Sequence, residues 1–445
     1  MSTLLDQASL IITPNSYKEG KILSVVPSDG SGDMDFVRAT SAIRTNPSGF
    51  LEMACYNLAG YSEEFDNSYW TKNNSTVVLS NKLLGIQSYN LIPNNGVSGN
   101  IARGGATPQD GNTYLRSIYV RKFGVRYIVL SSIATGSSST DFRSVMYDLD
   151  NKVVTRTGSQ IISSGIEDLG DGILRLWQTS NSVNSLFDDF DIGFSSDGTT
   201  INSYIGNGID GVTIFGAQAV LGVEKRPYQA TTNRLNFPRV DYTNGTPALL
   251  IEPQRTNLYL NSENLVTQNI TTIATSYTVS FYGTGTVTFS GTVTKANAEA
   301  GLYATSYIPT LASAVTRNAD VISKTSVFNA SEDFTFFYEG KTINNTTSIY
   351  FDLGSLGYLV SIPPTHIFRF RYNATNYLAG ASEYFKYVIK KNSTNMKIFM
   401  NGVLLHTITT LPTGLVNLSM YVGEVDNLKI WKQALTDAEC ITLTT

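Results

Sequence analysis

The chain is nearly devoid of cysteine and histidine. Its two cysteines, Cys55 and Cys440, stand at opposite ends of 445 residues and suggest no disulfide framework. Its two histidines, His366 and His406, are too few for a histidine-based metal site, and a triad enzyme would have to use one of them. His406 lies in VLLHTIT, where a place on a strand surface is expected. Charge is also scarce: 15% of residues are charged and the net charge is −4. That balance lacks the basic footprint of a nucleic-acid binder, so no nucleic-acid partner is expected. Nothing approaches the roughly 18 apolar residues of a membrane span, and membrane insertion is not expected. The opening MSTLLDQASLIITPNSYKEG has neither the basic start nor the long apolar core of a secretion signal, which implies folding in a cytoplasm. Long runs of Leu, Ala, Glu and Lys at helical spacing are missing as well.

What the chain does have is 36 Gly, 25 Tyr and 21 Phe, with abundant Ser, Thr and Asn. Aromatic and β-branched residues suit a pleated surface, and Gly and Asn suit turns. The expected class is all-β. At this length two to four domains are expected.

The sequence also repeats itself. FLEMACYNLAGYSEEF (50–65) and LLIEPQRTNLYLNSENL (249–265) align at one constant offset, with Glu52 opposite Glu252, Asn57 opposite Asn257 and Ser62 opposite Ser262. Upstream, MDFVR matches LNFPR after a one-residue slip, setting Arg38 against Arg239. GAQAVLGVEKRPYQATTNR (216–234) and NAEAGLYATSYIPTLASAVTRNAD (297–320) close the two copies in a similar way. A repeat of this size signals duplicated structural units. Between the first pair of markers, YLRSIYVRKF, RYIVLSSIA, DFRSVMYDLD and LRLWQTS alternate partially with period two, and GDG (170–172) and SSDGTT (195–200) supply turns. This spacing predicts a sandwich or jelly roll. The second copy holds only residues 266–310 between its markers. That is a small core, expected to lean on a neighbouring module or chain.

FDNSYW (65–70), GDGILRLWQTS, SSDGTTINSYIGNGIDGVTIFGAQ, LLIEPQRTNLYLNSEN and AEAGLYATSYIPT with AVTRNADV resemble motifs of bacteriophage virion appendage proteins. These are fibre and spike proteins carrying jelly rolls like those of carbohydrate-binding modules. PSDGSGDMDFVRATSAIRTNPSGFLE resembles their common leader, so the likeness covers roughly 26–325.

From about Ser326 the strands DFTFFYEGK, TSIYFDLG, GYLVSI, IFRFRYN and YFKYVIKKN form an antiparallel series. MKIFMNGVLLHTI reads as a hairpin turned by Asn401-Gly402, since both turn positions need positive φ. KIFMNGV ahead of VDNLKIWKQALTDAE resembles the laminin-G and concanavalin A-like sandwiches. Thr436 and Glu439 are spaced as a capping box for one short helix.

The resulting domain plan is an N-terminal attachment arm at 1–33 and a jelly roll at 34–234. A shorter repeat follows at 235–325, then a concanavalin A-like sandwich at 326–445. The arm has too little patterning to fold alone and is expected to order on another virion protein.

Glu424 and Asp426 raise the enzyme question, because glycosidases on the concanavalin A-like fold carry Glu, Asp and Glu on one face of a strand. Two carboxylates must flank the scissile bond about 5 Å apart for retention. Here Asn427, Leu428 and Lys429 follow, with no third carboxylate. Polar surface positions and no catalytic residues are expected. Asp29, Ser31, Asp33 and Asp35 alternate like half a calcium loop, but Thr40 falls where its closing Glu belongs. A solvated turn is expected, with no metal and no cofactor. GTGT (283–286) reads as a turn between strands, not a nucleotide site.

The motif positions of Trp70, Trp177 and Trp431 imply core packing. Sugar contacts should come from loop Tyr and Asn residues, among which the sequence singles out none. The resemblance implies a homotrimeric virion protein, exposed on the particle, that adheres to host surface glycans through weak repeated contacts. The alternative is a purely architectural decorating or connecting protein that binds no sugar.

Overall fold

The computed structural model describes residues 4–103, 106–107, 111–132, 140–182, 190–264, 277–282, 295–301, 304–341, 357–362, 367–372, 375–381, 384–420 and 423–445. His366, GTGT at 283–286 and the strand expected in TSIYFDLG lie outside these residues. The chain is all-β and antiparallel throughout its named sheets, and it forms two compact units, Cys55–Arg234 and Met1–Ala54 with Leu235–Thr445.

In Cys55–Arg234 two six-stranded sheets make a β-sandwich. One sheet runs in the order Ile161–Asp168, Ile173–Asn181, Thr113–Phe123, Gly211–Leu221, Tyr89–Pro93, Ser75–Leu79. The other runs Val153–Thr157, Ser144–Asp148, Tyr127–Ser131, Phe190–Ser195, Asn100–Arg103, Thr71–Asn73. Alternate residues of each strand point inward, so Ile118, Val120, Leu174, Leu176 and Ile214 share one core with Ile128, Leu130, Val145, Ile192 and Phe194.

The other unit is built on a twelve-stranded sheet in which Gly423–Trp431 pairs with Phe334–Lys341, Leu10–Lys18 and Ala248–Ile251. Leu10, Ile12, Phe336, Tyr338, Leu418 and Leu428 meet in its core. On the opposite face, Ile11, Phe337, Val388, Phe399 and Trp431 pack with Leu435 and Cys440. The helix Asp437–Thr444 carries the expected capping box: Glu439 N–H donates to Thr436 Oγ1 and the Thr436 N–H to Glu439. The expected hairpin turn is also present, with φ of 47° at Asn401 and 78° at Gly402. Cys55 and Cys440 are buried free thiols.

Residues 1–33, expected to lack structure of their own, contain the strands Leu10–Lys18 and Lys21–Val26. The reason is that Leu10-Ile11-Ile12 buries both faces, with Leu10 and Ile12 in one cluster and Ile11 in the other. A strand buried on both sides reads as an unbroken apolar run, not as alternation. Residues 34–54, grouped by the repeat with the jelly roll, lie in the unit that holds Leu235–Thr445.

The repeat has a structural meaning that its spacing only hinted at. Asn57 donates to the carbonyls of Ala217 (3.0 Å) and Gln229 (2.8 Å) and accepts from the N–H groups of Ala59 (3.0 Å) and Ala219 (3.1 Å). Asn257 does the same with the carbonyls of Ala296 (3.1 Å) and Ile308 (2.8 Å) and the amides of Tyr259 (3.0 Å) and Ala298 (2.9 Å). Ser62 meets Tyr228 at 2.7 Å, and Ser262 meets Tyr307 at 2.5 Å. Each copy therefore uses one buried Asn and one Ser–Tyr pair to tie its opening segment to its closing one. Asn57→Ala or Asn257→Ala leaves buried carbonyls and amides without partners. Each is expected to cost its unit about 1–3 kcal/mol or more, read as a lower denaturant midpoint.

Candidate functional site

The site starts from a hairpin. Leu169 and Ile173 close the turn at Gly170, Asp171 and Gly172, all at positive φ, and the strand Ile173–Asn181 returns along Ile161–Asp168. Leu174 and Leu176 take the inward positions, so Arg175, Trp177 and Thr179 take the outer face, where Arg175 and Thr179 are themselves buried. Trp177 is half-buried on the outer face of the sheet, opposite Gly165 in register. A Cβ on Gly165 would lie 2.8 Å from Trp177 Cζ2. The indole thus lies over the neighbouring strand's backbone, and only glycine leaves room for it there.

Polar groups surround this aromatic surface. Lys225 Nζ lies 5.6 Å from the ring centroid and pairs with Glu167 at 3.6 Å. Arg175 donates to Ser117 Oγ (3.2 Å) and to the Arg226 carbonyl (2.9 Å). Further along the strand, the Ser163 and Thr179 hydroxyls meet at 2.6 Å. The exposed part of the indole, with the Lys225–Glu167 pair beside it, can pack on the C–H face of a pyranose while the charged pair meets its hydroxyls.

The three tryptophans therefore differ. Trp70 fits the expected core role, stacked beside Phe65 at 4.9 Å with its N–H donated to the Tyr61 carbonyl at 3.0 Å. Trp431 is likewise buried, its N–H on the Leu4 carbonyl at 2.8 Å. Trp177 departs from the core packing expected of it. The signal was present in LRLW: once the two leucines go inward, Trp177 shares its face with Arg175.

Glu424 and Asp426, expected as polar surface positions, lie half-buried on Gly423–Trp431. Opposite Phe334–Lys341 the register slips: Glu339 faces Asn427 and Gly340 faces Val425, so Asp426 is a bulged residue. The bulge brings Val425 and Leu428 to the same core. Positions 424, 426 and 428 therefore do not alternate unbroken on one face. Asn244 donates to Glu424 at 2.8 Å, while Tyr384 (2.8 Å) and Asn427 (2.7 Å) donate to Glu339. Burial pushes both the Glu424 and the Asp426 carboxyl above the usual range. The arrangement fits a non-catalytic role.

His406 lies partly buried on the strand Val403–Ile408, edge-on to Tyr377 at 5.4 Å. The Asp29–Asp35 stretch splits its carboxylates among separate partners: Asp29 accepts from Ser31, Asp33 from Ser24, and Asp35 pairs with Lys21.

No family model matches the chain, and no curated protein does. Solved structures similar to parts of it include carbohydrate-binding modules and laminin G-like domains. The CBM40 of the Ruminococcus gnavus IT-sialidase is 17% identical, with a TM-score of 0.22, over 26% of this chain and 84% of that one. The tandem CBM22 domains of Paenibacillus barcinonensis Xyn10C are 11% identical, with a TM-score of 0.24, over 89% and 99%. Domains LG4-5 of the mouse laminin alpha1 chain are 9% identical, with a TM-score of 0.23, over 77% and 90%. Likenesses this shallow fix neither ligand nor activity.

Proposed function

We propose that this protein is a non-catalytic glycan-binding adhesin of a phage particle, and that the partly exposed indole of Trp177 is its sugar-contact surface. The observation that carries the glycan reading is the half-buried indole of Trp177 laid over Gly165 with the Lys225–Glu167 pair beside it. The virion assignment rests on the motif resemblance across 26–325. With it come the fibre or spike role, the homotrimer and display on the particle surface. Residues 10–26 are strands of a folded sheet, so attachment to other virion proteins would use a folded surface. Each contact would be weak, and several copies would supply avidity.

The test compares the purified chain with the double variant Glu424→Gln, Asp426→Asn on host capsular polysaccharide, measuring bound protein and released oligosaccharide. Both proteins are expected to bind and neither to release sugar. Release that vanishes in the variant would overturn the non-catalytic reading, and absence of binding would favour a purely architectural protein. The same variant has a defined pH behaviour. Both carboxyls are raised by burial, so their contribution to stability is fully present below the ordinary carboxylate range, where they are neutral, and is lost as pH rises through the raised values. The variant should match the wild type near pH 4. At pH 7 it should equal or exceed it by about 0.5 kcal/mol, as read by urea denaturation.

A further inference from the structure

The two copies of the repeat share the Asn and Ser–Tyr ties, so the positions where they differ around those ties are informative. In the second copy Asn261 takes a left-handed conformation, φ 49°, with its N–H on the Leu311 carbonyl. In the first copy the same place is held by Tyr61, φ 47°, with its N–H on the Thr232 carbonyl. Asparagine tolerates this conformation and a bulky aromatic residue does not. Tyr61 is thus the costlier occupant of a site whose geometry does not need it. Next to it stands Gly60, where the second copy has Leu260. A Cβ on Gly60 would lie 2.7 Å from the Thr232 carbonyl oxygen and 3.2 Å from the Tyr69 ring. Glycine lets Tyr69 approach until its hydroxyl accepts the Gly60 N–H at 2.9 Å.

The result is a pocket of about 200 Å³ lined by Tyr61, Tyr69, Thr232, Asn233 and Arg234, among others. The two tyrosine rings lie 5.4 Å apart and 46° from parallel. Arg234 also adopts positive φ, 66°, and is exposed. Non-glycine residues held in this region carry a strain that the surrounding structure must offset. Here two of them, Tyr61 and Arg234, line one small pocket.

We propose that this pocket binds a single saccharide unit that carries a carboxylate, a second glycan subsite apart from the Trp177 face. The tyrosine rings offer apolar surface for the sugar ring, and Thr232 and Asn233 make part of the lining polar. Arg234 is the one cation among the described residues of the lining, and its planar fork matches a carboxylate. The proposal rests on the reading of the chain as a glycan binder, but it can fail separately.

The test titrates the full chain with methyl glucuronide and with methyl glucoside, following the tyrosine ring signals by NMR. The variants are Tyr61→Asn, Arg234→Asn and Trp177→Ala. Asparagine suits positive φ, and the second copy already holds it at the place equivalent to Tyr61, so the Tyr61 variant should fold. Saturable glucuronide binding is expected, weakened at least tenfold by Tyr61→Asn and by Arg234→Asn, unchanged by Trp177→Ala, and absent or at least tenfold weaker for the glucoside. Wild-type binding retained in Tyr61→Asn would overturn the pocket, as would no glucuronide binding in a chain that still adheres to polysaccharide. Equal affinity for both sugars would overturn the acidic preference. Loss of polysaccharide adhesion in Trp177→Ala bears on the other face alone.

Discussion

Replacing Asp320 with alanine is expected to destabilise the unit that contains it by about 3–5 kcal/mol. Asp320 is fully buried and stands between two arginines, accepting from Arg38 Nη1 at 2.6 Å, from Arg239 Nη2 and from the Glu252 N–H at 2.9 Å. Arg239 in turn pairs with Glu252 at 2.6 Å, and Arg317 pairs with Glu252 at 2.7 Å. All five side chains are nearly inaccessible to water. Exposed pairs contribute little, but a buried charge that loses its partner keeps its full desolvation cost. Removing Asp320 leaves Arg38 with no carboxylate partner among the described contacts and Arg239 with one of its two.

The pH dependence has a definite sign. Burial by itself would raise the Glu252 carboxyl, yet Arg317 and Arg239 outweigh it and bring it down to about 2. Asp320 is lowered in the same way against its own burial, by Arg239 and Arg38. Depressed carboxylates contribute stability above their ordinary range and lose it as pH falls through the folded values. Acid should therefore weaken the wild-type unit between about pH 4 and pH 2, and Asp320→Ala should flatten that dependence. Calorimetry from pH 7 to pH 2 reads both effects, and at each pH the substitution should leave the transition of Cys55–Arg234 where it is in the wild type. An Asp320→Ala protein with wild-type stability at pH 7 would show the network to be dispensable.

Local rules carried far in this chain. Asn401-Gly402, Thr436 with Glu439 and the Gly170–Gly172 turn depend on neighbours within a few residues, and the structure has them as the residue types require. The all-β class followed from composition for the same reason. What escaped reading depends on partners distant in the chain. The repeat set Arg38 against Arg239 and Glu52 against Glu252, but Glu52 pairs with Arg44 at 2.9 Å while Arg38 joins Asp320. No spacing rule links residues 38, 239, 252, 317 and 320. The strand Leu10–Lys18 was missed because two buried faces erase alternation. The bulge at Asp426 was invisible because the slip lies in its pairing with Phe334–Lys341. Trp177 was legible in principle from strand parity, although the motif resemblance implied the core.

The central claim, that the partly exposed indole of Trp177 binds glycan, is tested by Trp177→Ala together with Gly165→Val. Alanine at 177 removes the indole but leaves Leu174 and Leu176 in the core, so the sandwich should keep its fold. Valine at 165 keeps the indole yet occupies the space beneath it, where even a Cβ lies 2.8 Å from the ring. Gly165 does not have positive φ, so the effect is confined to the ring above it. Truncating a tryptophan at the centre of a contact commonly costs about 2 kcal/mol or more, roughly thirtyfold in affinity. The measurement is the dissociation constant of each full-length protein on immobilised host polysaccharide, with far-ultraviolet circular dichroism confirming the fold. Weakening of at least tenfold in both variants, with spectra unchanged, is the result expected of a sugar-stacking surface. Wild-type affinity in folded Trp177→Ala protein would contradict it.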